Sequence, residues 1–140
     1  MPVDFTRDSL ADALAAAGHD PARPTTWIWE GVVMYLELAD IVATLSVVTR
    51  RSAPRSRLVV MYFRRALISW LVGFIVRRVG EPFRSAFTPL QMSVLLQNHG
   101  FTVTRDENLP RVAARLSPEL AQVMRPMKHM HIVTADRPLT

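Results

Sequence analysis

Apolar residues along this chain recur in two periods, and the places where one period gives way to the other predict its elements. Leu38, Ile41, Val42, Leu45 and Val48 fall at i, i+3, i+4, i+7 and i+10, one apolar stripe of a helix over about Leu36 to Arg51. Two short runs flank it. Thr25 to Glu30 carries β-formers on both faces, Trp27-Ile28-Trp29, and reads as a strand covered on both sides. Arg57 to Phe63, R-L-V-V-M-Y-F, reads as a second buried strand after the breaker Ser52-Ala53-Pro54. Strand, helix and strand joined this closely predict a βαβ unit with parallel strands and a right-handed crossover.

Upstream, Val3-Asp4-Phe5 reads as the tail of a strand. Thr6 is placed to cap a helix from Arg7 to Ala17 that uses Leu10 and Leu14 and stops at Gly18. Downstream, Ala66 to Val76 reads as a buried or amphipathic helix. Thr88-Pro89-Leu90-Gln91 is a helix start with an N-cap, a proline at the first helical position and a capping-box glutamine. That helix should run to about Asn98 with Leu90, Val94 and Leu95 inward. Phe101 to Arg105 predicts a strand, Pro110 to Leu116 a helical turn, Ser117-Pro118 a further helix start, and His129 to Ala135 a closing strand.

Composition narrows the class. A chain of 140 residues with 49% hydrophobic and 21% charged residues suits one globular domain. No cysteine is present, which removes disulfides, thiol nucleophiles and cysteine-based zinc sites. The net charge of +5 is carried almost wholly by arginine. Its pairs, Arg50-Arg51, Arg64-Arg65 and Arg77-Arg78, are scattered rather than gathered on one element, so no nucleic-acid face is expected. Met1 to Asp12 has no apolar core of a leader, and the eleven residues Ala66 to Val76 fall short of the ~20 that span a bilayer. A cytoplasmic protein is the expectation.

The candidate chemistry is sparse. The five glycines never approach G-x-G spacing, no serine sits in a nucleophile-elbow context, and His129 and His131 lack a third ligand for a metal. The seven methionines read as core filler. Two carboxylates remain, Asp4 and Glu30, each expected at the C-terminal end of a strand, where open α/β sheets bind ligands. Gly31, next to Glu30, leaves room for close approach of backbone or ligand.

The surroundings of those two acids carry a family pattern. D-F-T followed by a helix with L-x-x-x-L, then G-x-D-P-x-x-P-T-x-W-x-x-E-G-V-x-M-Y-L, then A-P-x-S-R-L-V-V, and later G-E-P-F-R-x-x-F-T-P, resembles the leucine carboxyl methyltransferase family in its bacterial S-adenosylmethionine-dependent O-methyltransferase branch. The resemblance implies an α/β fold, the C-terminal half of a Rossmann-like class I methyltransferase sheet of about four strands, mixed in direction and flanked by helices. It implies S-adenosyl-L-methionine as cofactor and a carboxyl or hydroxyl of a small molecule as methyl acceptor. Asp4 would accept from the adenine amino group, the Phe5 backbone N–H would donate to a ring nitrogen, Glu30 would lie along the cofactor toward its methionine end, and Gly31 would keep that floor flat. In the family strand order, 3-2-1-4-5-7-6, residues 1–140 correspond to 4-5-7-6. They form a single partial domain without the Gly-rich cofactor-binding half, not expected to be active alone. The Thr25–Glu30 strand would then be an exposed edge, open to self-association or to pairing with another chain. Two other readings of the chain are a non-catalytic remnant that pairs through that edge and a basic peripheral membrane protein that uses Ala66–Val76.

Overall fold

The computed structural model describes residues 3–4, 7–65 and 84–139. Its elements run α1 (Leu10–Ala16), β1 (Thr26–Trp29), a 3-10 turn (Val33–Tyr35), α2 (Leu38–Arg50), β2 (Arg57–Phe63), α3 (Pro89–Asn98), β3 (Thr102–Asn108), α4 (Leu109–Ala114), α5 (Pro118–Val123), a second 3-10 turn (Arg125–Met127) and β4 (Met130–Asp136). The expected Ala66–Val76 helix and the proposed Thr6 cap lie outside the described residues. Among those described, the cap of α1 is Ser9, whose Oγ accepts from the Asp12 N–H. Val3 and Asp4 stand in no strand, since no described strand lies alongside for them to pair with.

One four-stranded sheet organises the chain in the order β1-β2-β4-β3. β1 and β2 are parallel, with Trp29 opposite Val60, while β4 runs antiparallel to both β2 and β3. This is the mixed four-stranded sheet that the family resemblance implied. Side chains alternate across the sheet, and one face is buried. Leu58, Val60 and Tyr62 of β2 and Val133 and Ala135 of β4 join Ile41, Leu45 and Val48 of α2, Met92 and Leu96 of α3, and Phe101 in a single core cluster. The Trp27 indole packs against this cluster, and its Nε1 donates to Ser52 Oγ at 2.7 Å.

Three expectations about facing are corrected. β1 is covered on one side only, because Trp29 is buried while Ile28, on the opposite face, is 71% exposed. Leu38 and Val42 are exposed, and Thr44 takes the buried place in α2. In α3, Leu90 and Val94 are exposed and Leu95 is half-buried, while Met92 and Leu96 enter the core. The α3 sequence is apolar at 90, 92, 94, 95 and 96, which fits two different stripes. The i, i+4 pair Met92 and Leu96 is the one that reaches Phe101 and the sheet.

The capping box of α3 is complete. Gln91 N donates to Thr88 Oγ1 at 3.1 Å and Thr88 N donates to Gln91 Oε1 at 2.9 Å. Thr88→Ala removes one of these and frees the other, so a loss of about 1 kcal/mol is expected. Urea denaturation followed by circular dichroism measures it, and a loss below a few tenths would show that the cap does not hold the start of α3.

Candidate functional site

The C-terminal ends of β1 and β2 form one rim of the sheet. Glu30 follows the last residue of β1 directly and is exposed. Trp29, just before it, pairs with Val60 in the parallel register, and β2 continues through Met61 and Tyr62. No hydrogen bond or ion pair holds the Glu30 carboxylate among the described residues. Gly31 turns the chain there with φ of +70°. A Cβ on Gly31 would meet nothing within 4 Å among the described residues, so its left-handed backbone, not crowding by them, calls for the glycine. The rest of the E-G-V-V-M-Y-L block is anchored below the rim. Val33, Met34 and Leu36 are buried, Ser85 Oγ donates to Val33 O at 2.7 Å, and Arg84 N donates to Met34 O at 2.7 Å. Arg84 also pairs with Glu37 at 3.2 Å.

Asp4 is exposed and stands in a local turn ahead of α1. Its carbonyl accepts from Arg7 N and Asp8 N at 3.1 and 2.8 Å, its own N–H donates to Asp8 Oδ2 at 2.8 Å, and its carboxylate lies 4.0 Å from Arg7 Nε. Phe5 lies outside the described residues. Of the four residues singled out by sequence, then, Glu30 and Gly31 sit together at the sheet rim and Asp4 belongs to a separate turn.

A second polar group at the same end was missed by sequence reasoning. Tyr62 on β2 faces His131 on β4 across the antiparallel register, with ring centroids 5.5 Å apart. Asp106 on β3 serves both. Tyr62 OH donates to its Oδ2 at 2.6 Å and His131 Nδ1 donates to its Oδ1 at 2.7 Å. A carboxylate only accepts, so His131 Nδ1 carries a proton, while Nε2 is buried without a hydrogen-bond partner among the described residues. Tyr62 has no exposed surface. Burial first, then the hydrogen bond to Asp106 and the Asp106 charge, hold its phenol far above the usual tyrosine range, and Arg64 opposes them weakly. One carboxylate therefore ties three strands together. In the sequence His131 shows only its two-residue spacing from His129, and its pairing opposite Tyr62 and next to β3 reveals its role.

The comparisons agree with this architecture. The family profile for leucine carboxyl methyltransferases matches residues 1–49. A Frankia alni protein named as a candidate S-adenosyl-L-methionine-dependent methyltransferase is 48% identical over 58 residues, covering 41% of this chain and 20% of that protein. A protein of the same description from Mycolicibacterium gilvum is 35% identical over 109 residues, covering 76% of this chain and 34% of that one. The chain thus spans about a fifth to a third of the length of these curated relatives. Among solved structures, a SAM-dependent methyltransferase from Archaeoglobus fulgidus superposes with a TM-score of 0.62 at 13% identity, over 98% of this chain and 66% of that chain, a likeness of fold alone. Over the matched residues, this chain is similar to the leucine carboxyl methyltransferase family and to bacterial proteins named as S-adenosyl-L-methionine-dependent methyltransferases, and it spans part of their length.

Proposed function

We propose that this chain supplies one side of an S-adenosyl-L-methionine site in an O-methyltransferase whose acceptor is a carboxyl or hydroxyl of a small molecule. The observation that carries the reading is the Glu30–Gly31 rim. An exposed carboxylate with no partner among the described residues ends a parallel strand, beside a glycine whose outward side is open. A carboxylate acceptor there fits the cofactor's chemistry, because its adenine amino, ribose hydroxyl and ammonium groups all seek acceptors. When bound, the cofactor supplies an electrophilic methyl on sulfonium. Glu30 accepts a hydrogen bond near the methionine end, and Gly31 lets the ligand approach the backbone. Asp4 accepts from the adenine amino group beside the Phe5 N–H. The transfer depends on alignment more than on proton movement, so positioning is the contribution asked of these residues. The Gly-rich half of the site would come from outside residues 1–140.

Titration of S-adenosylhomocysteine into the chain by calorimetry tests this. Saturable binding is expected to weaken tenfold or more in Asp4→Ala and in Glu30→Ala, since a hydrogen bond to a charged group is worth about 1.5–3 kcal/mol. Binding indifferent to both substitutions would refute these residue roles. No heat from a folded chain would show that residues 1–140 do not hold the cofactor by themselves.

A second reading concerns partners. β1 is an edge strand among the described residues, and its sequence T-W-I-W has no charge, proline or bulge to discourage pairing. The opposite edge, β3, carries Arg105, Asp106 and Glu107 and a register shift between Val103 and Arg105. This contrast supports strand pairing at β1, with a second copy or with the remainder of the family's sheet.

A further inference from the structure

The rim opposite Glu30 carries a feature that the methyl-transfer reading does not use. Ala53-Pro54-Arg55-Ser56 is a tight turn closed by Ser56 N donating to Ala53 O at 3.1 Å. Pro54 occupies its second position, and Arg55, at the third, has φ of +68°. That is the type II geometry, whose third position calls for glycine or asparagine. Arg55 is the one non-glycine residue with positive φ among the described residues. A bulky side chain kept where the backbone disfavours it points to a use for that side chain.

Its surroundings indicate what the use is. Arg55, Arg57, Arg137, Thr26 and Asp136 line an open cleft of about 440 Å³. Two of the guanidinium groups are held in place. Arg57 grips Asp136 through Nε–Oδ1 at 2.7 Å and Nη2–Oδ2 at 2.9 Å, which keeps the Asp136 carboxyl below its ordinary range and raises Arg57. Arg137 Nη1 donates to the Thr49 carbonyl near the end of α2. The backbone is pinned as well, with Arg137 N donating to Ser56 O and Arg55 N to Arg137 O, at 2.8 and 3.2 Å. Arg55 alone has a guanidinium with no partner among the described residues. Three arginines and one aspartate line the cleft, and Arg57 already neutralises that carboxylate.

We propose that this cleft is a binding site for a phosphate monoester, with Arg55 as its principal ligand. A planar guanidinium fork matches phosphate oxygens in bidentate fashion, and two positive charges in excess suit a dianion. The pre-held Arg57 and Arg137 lose little freedom when the anion arrives. The site lies at the far end of the strands from Glu30, so it is separate from the proposed methyl-transfer site and does not depend on it.

The test is titration of inorganic phosphate and of ribose 5-phosphate into the 15N-labelled 140-residue chain at constant ionic strength, with chloride as the balancing salt. Saturable shifts confined to Thr26, the turn around Arg55, Arg57 and Asp136–Arg137 are expected. Arg55→Gly is expected to weaken binding at least tenfold while its Tm equals or exceeds that of the parent, because glycine relieves the turn. Arg125→Ala, which removes the same charge at the other end of β4, should bind as the parent does. Vesicles of phosphatidylcholine containing phosphatidate separate the two sources of the ligand. Retention that Arg55→Gly abolishes assigns a lipid headgroup, and soluble binding without retention assigns a small metabolite. No saturation, equal loss in Arg125→Ala, or undiminished binding in Arg55→Gly would overturn the proposal.

Discussion

Asp106→Ala is expected to cost about 3 kcal/mol or more of stability, because it strands two buried donors at once. Tyr62 OH and His131 Nδ1 both end on this carboxylate, at 2.6 and 2.7 Å, and Tyr62 and His131 are 0% and 7% exposed. A buried polar group left unsatisfied costs about 1–3 kcal/mol, and the two losses fall on neighbouring strands. Tyr62→Phe removes one donor together with its need for an acceptor, so its cost should be nearer 1 kcal/mol. Urea denaturation of the two variants measures the difference, and an Asp106→Ala loss within about 0.5 kcal/mol of the parent would mean that the triad does not tie the sheet. The same group sets an alkaline limit. The folded Tyr62 phenol is held above its unfolded value, so its contribution is fully present below the unfolded tyrosine pKa of about 10. Above that pH the unfolded chain ionises first, and stability falls by up to about 1.4 kcal/mol per pH unit. Tyr62→Phe should flatten that limb of the stability curve and leave the neutral range parallel to the parent.

Local patterns revealed the elements more readily than their facing. Arg57–Phe63 was legible to the residue because both ends are marked, by Pro54 before it and by Arg64-Arg65 after. The α3 start was equally plain, since a capping box and an N1 proline act within four residues. Facing depends on what lies across from an element. Thr25–Glu30 has β-formers on both sides, and nothing local says that Ile28 meets no covering layer. The α3 segment offers two stripes, and Phe101, beyond its end, decides between them. At the sheet rim, the place of Glu30 and Gly31 just past a strand end was readable because strand end, acid and glycine are consecutive. The Tyr62, Asp106 and His131 group was not. Its members lie 44 and 25 residues apart, and the β3 register shift decides which residues of β3 share a face with them. The expected place of Asp4 at a strand end failed for a related reason, since a strand needs a neighbour and the described sheet offers none there.

Ile28→Pro is expected to abolish association through β1 while leaving the chain folded. Arg57 N donates to Thr25 O at 2.9 Å and Thr25 N donates to Ser56 Oγ at 3.0 Å, so the backbone groups of Thr25 face β2. By the two-residue alternation of a strand, Trp27 and Trp29 face β2 as well, and Thr26 and Ile28 present their N–H and C=O to the open edge. Proline at 28 therefore removes an outward donor and spares the β1–β2 ladder, as edge positions allow. Its ring also replaces a side chain that is 71% exposed, so little burial is lost. Sedimentation velocity across a hundredfold range of concentration should show the parent associating and the variant remaining monomeric, with similar Tm. Ile28→Lys should act in the same direction by placing a charge against an incoming strand. Association that survives both substitutions would exclude β1 as the pairing edge. A parent that stays monomeric throughout would exclude self-pairing and leave the edge to a strand from outside residues 1–140. The contrast between the edges makes the outcome specific, because Arg105 and Glu107 already guard β3, and charging that edge further should change nothing.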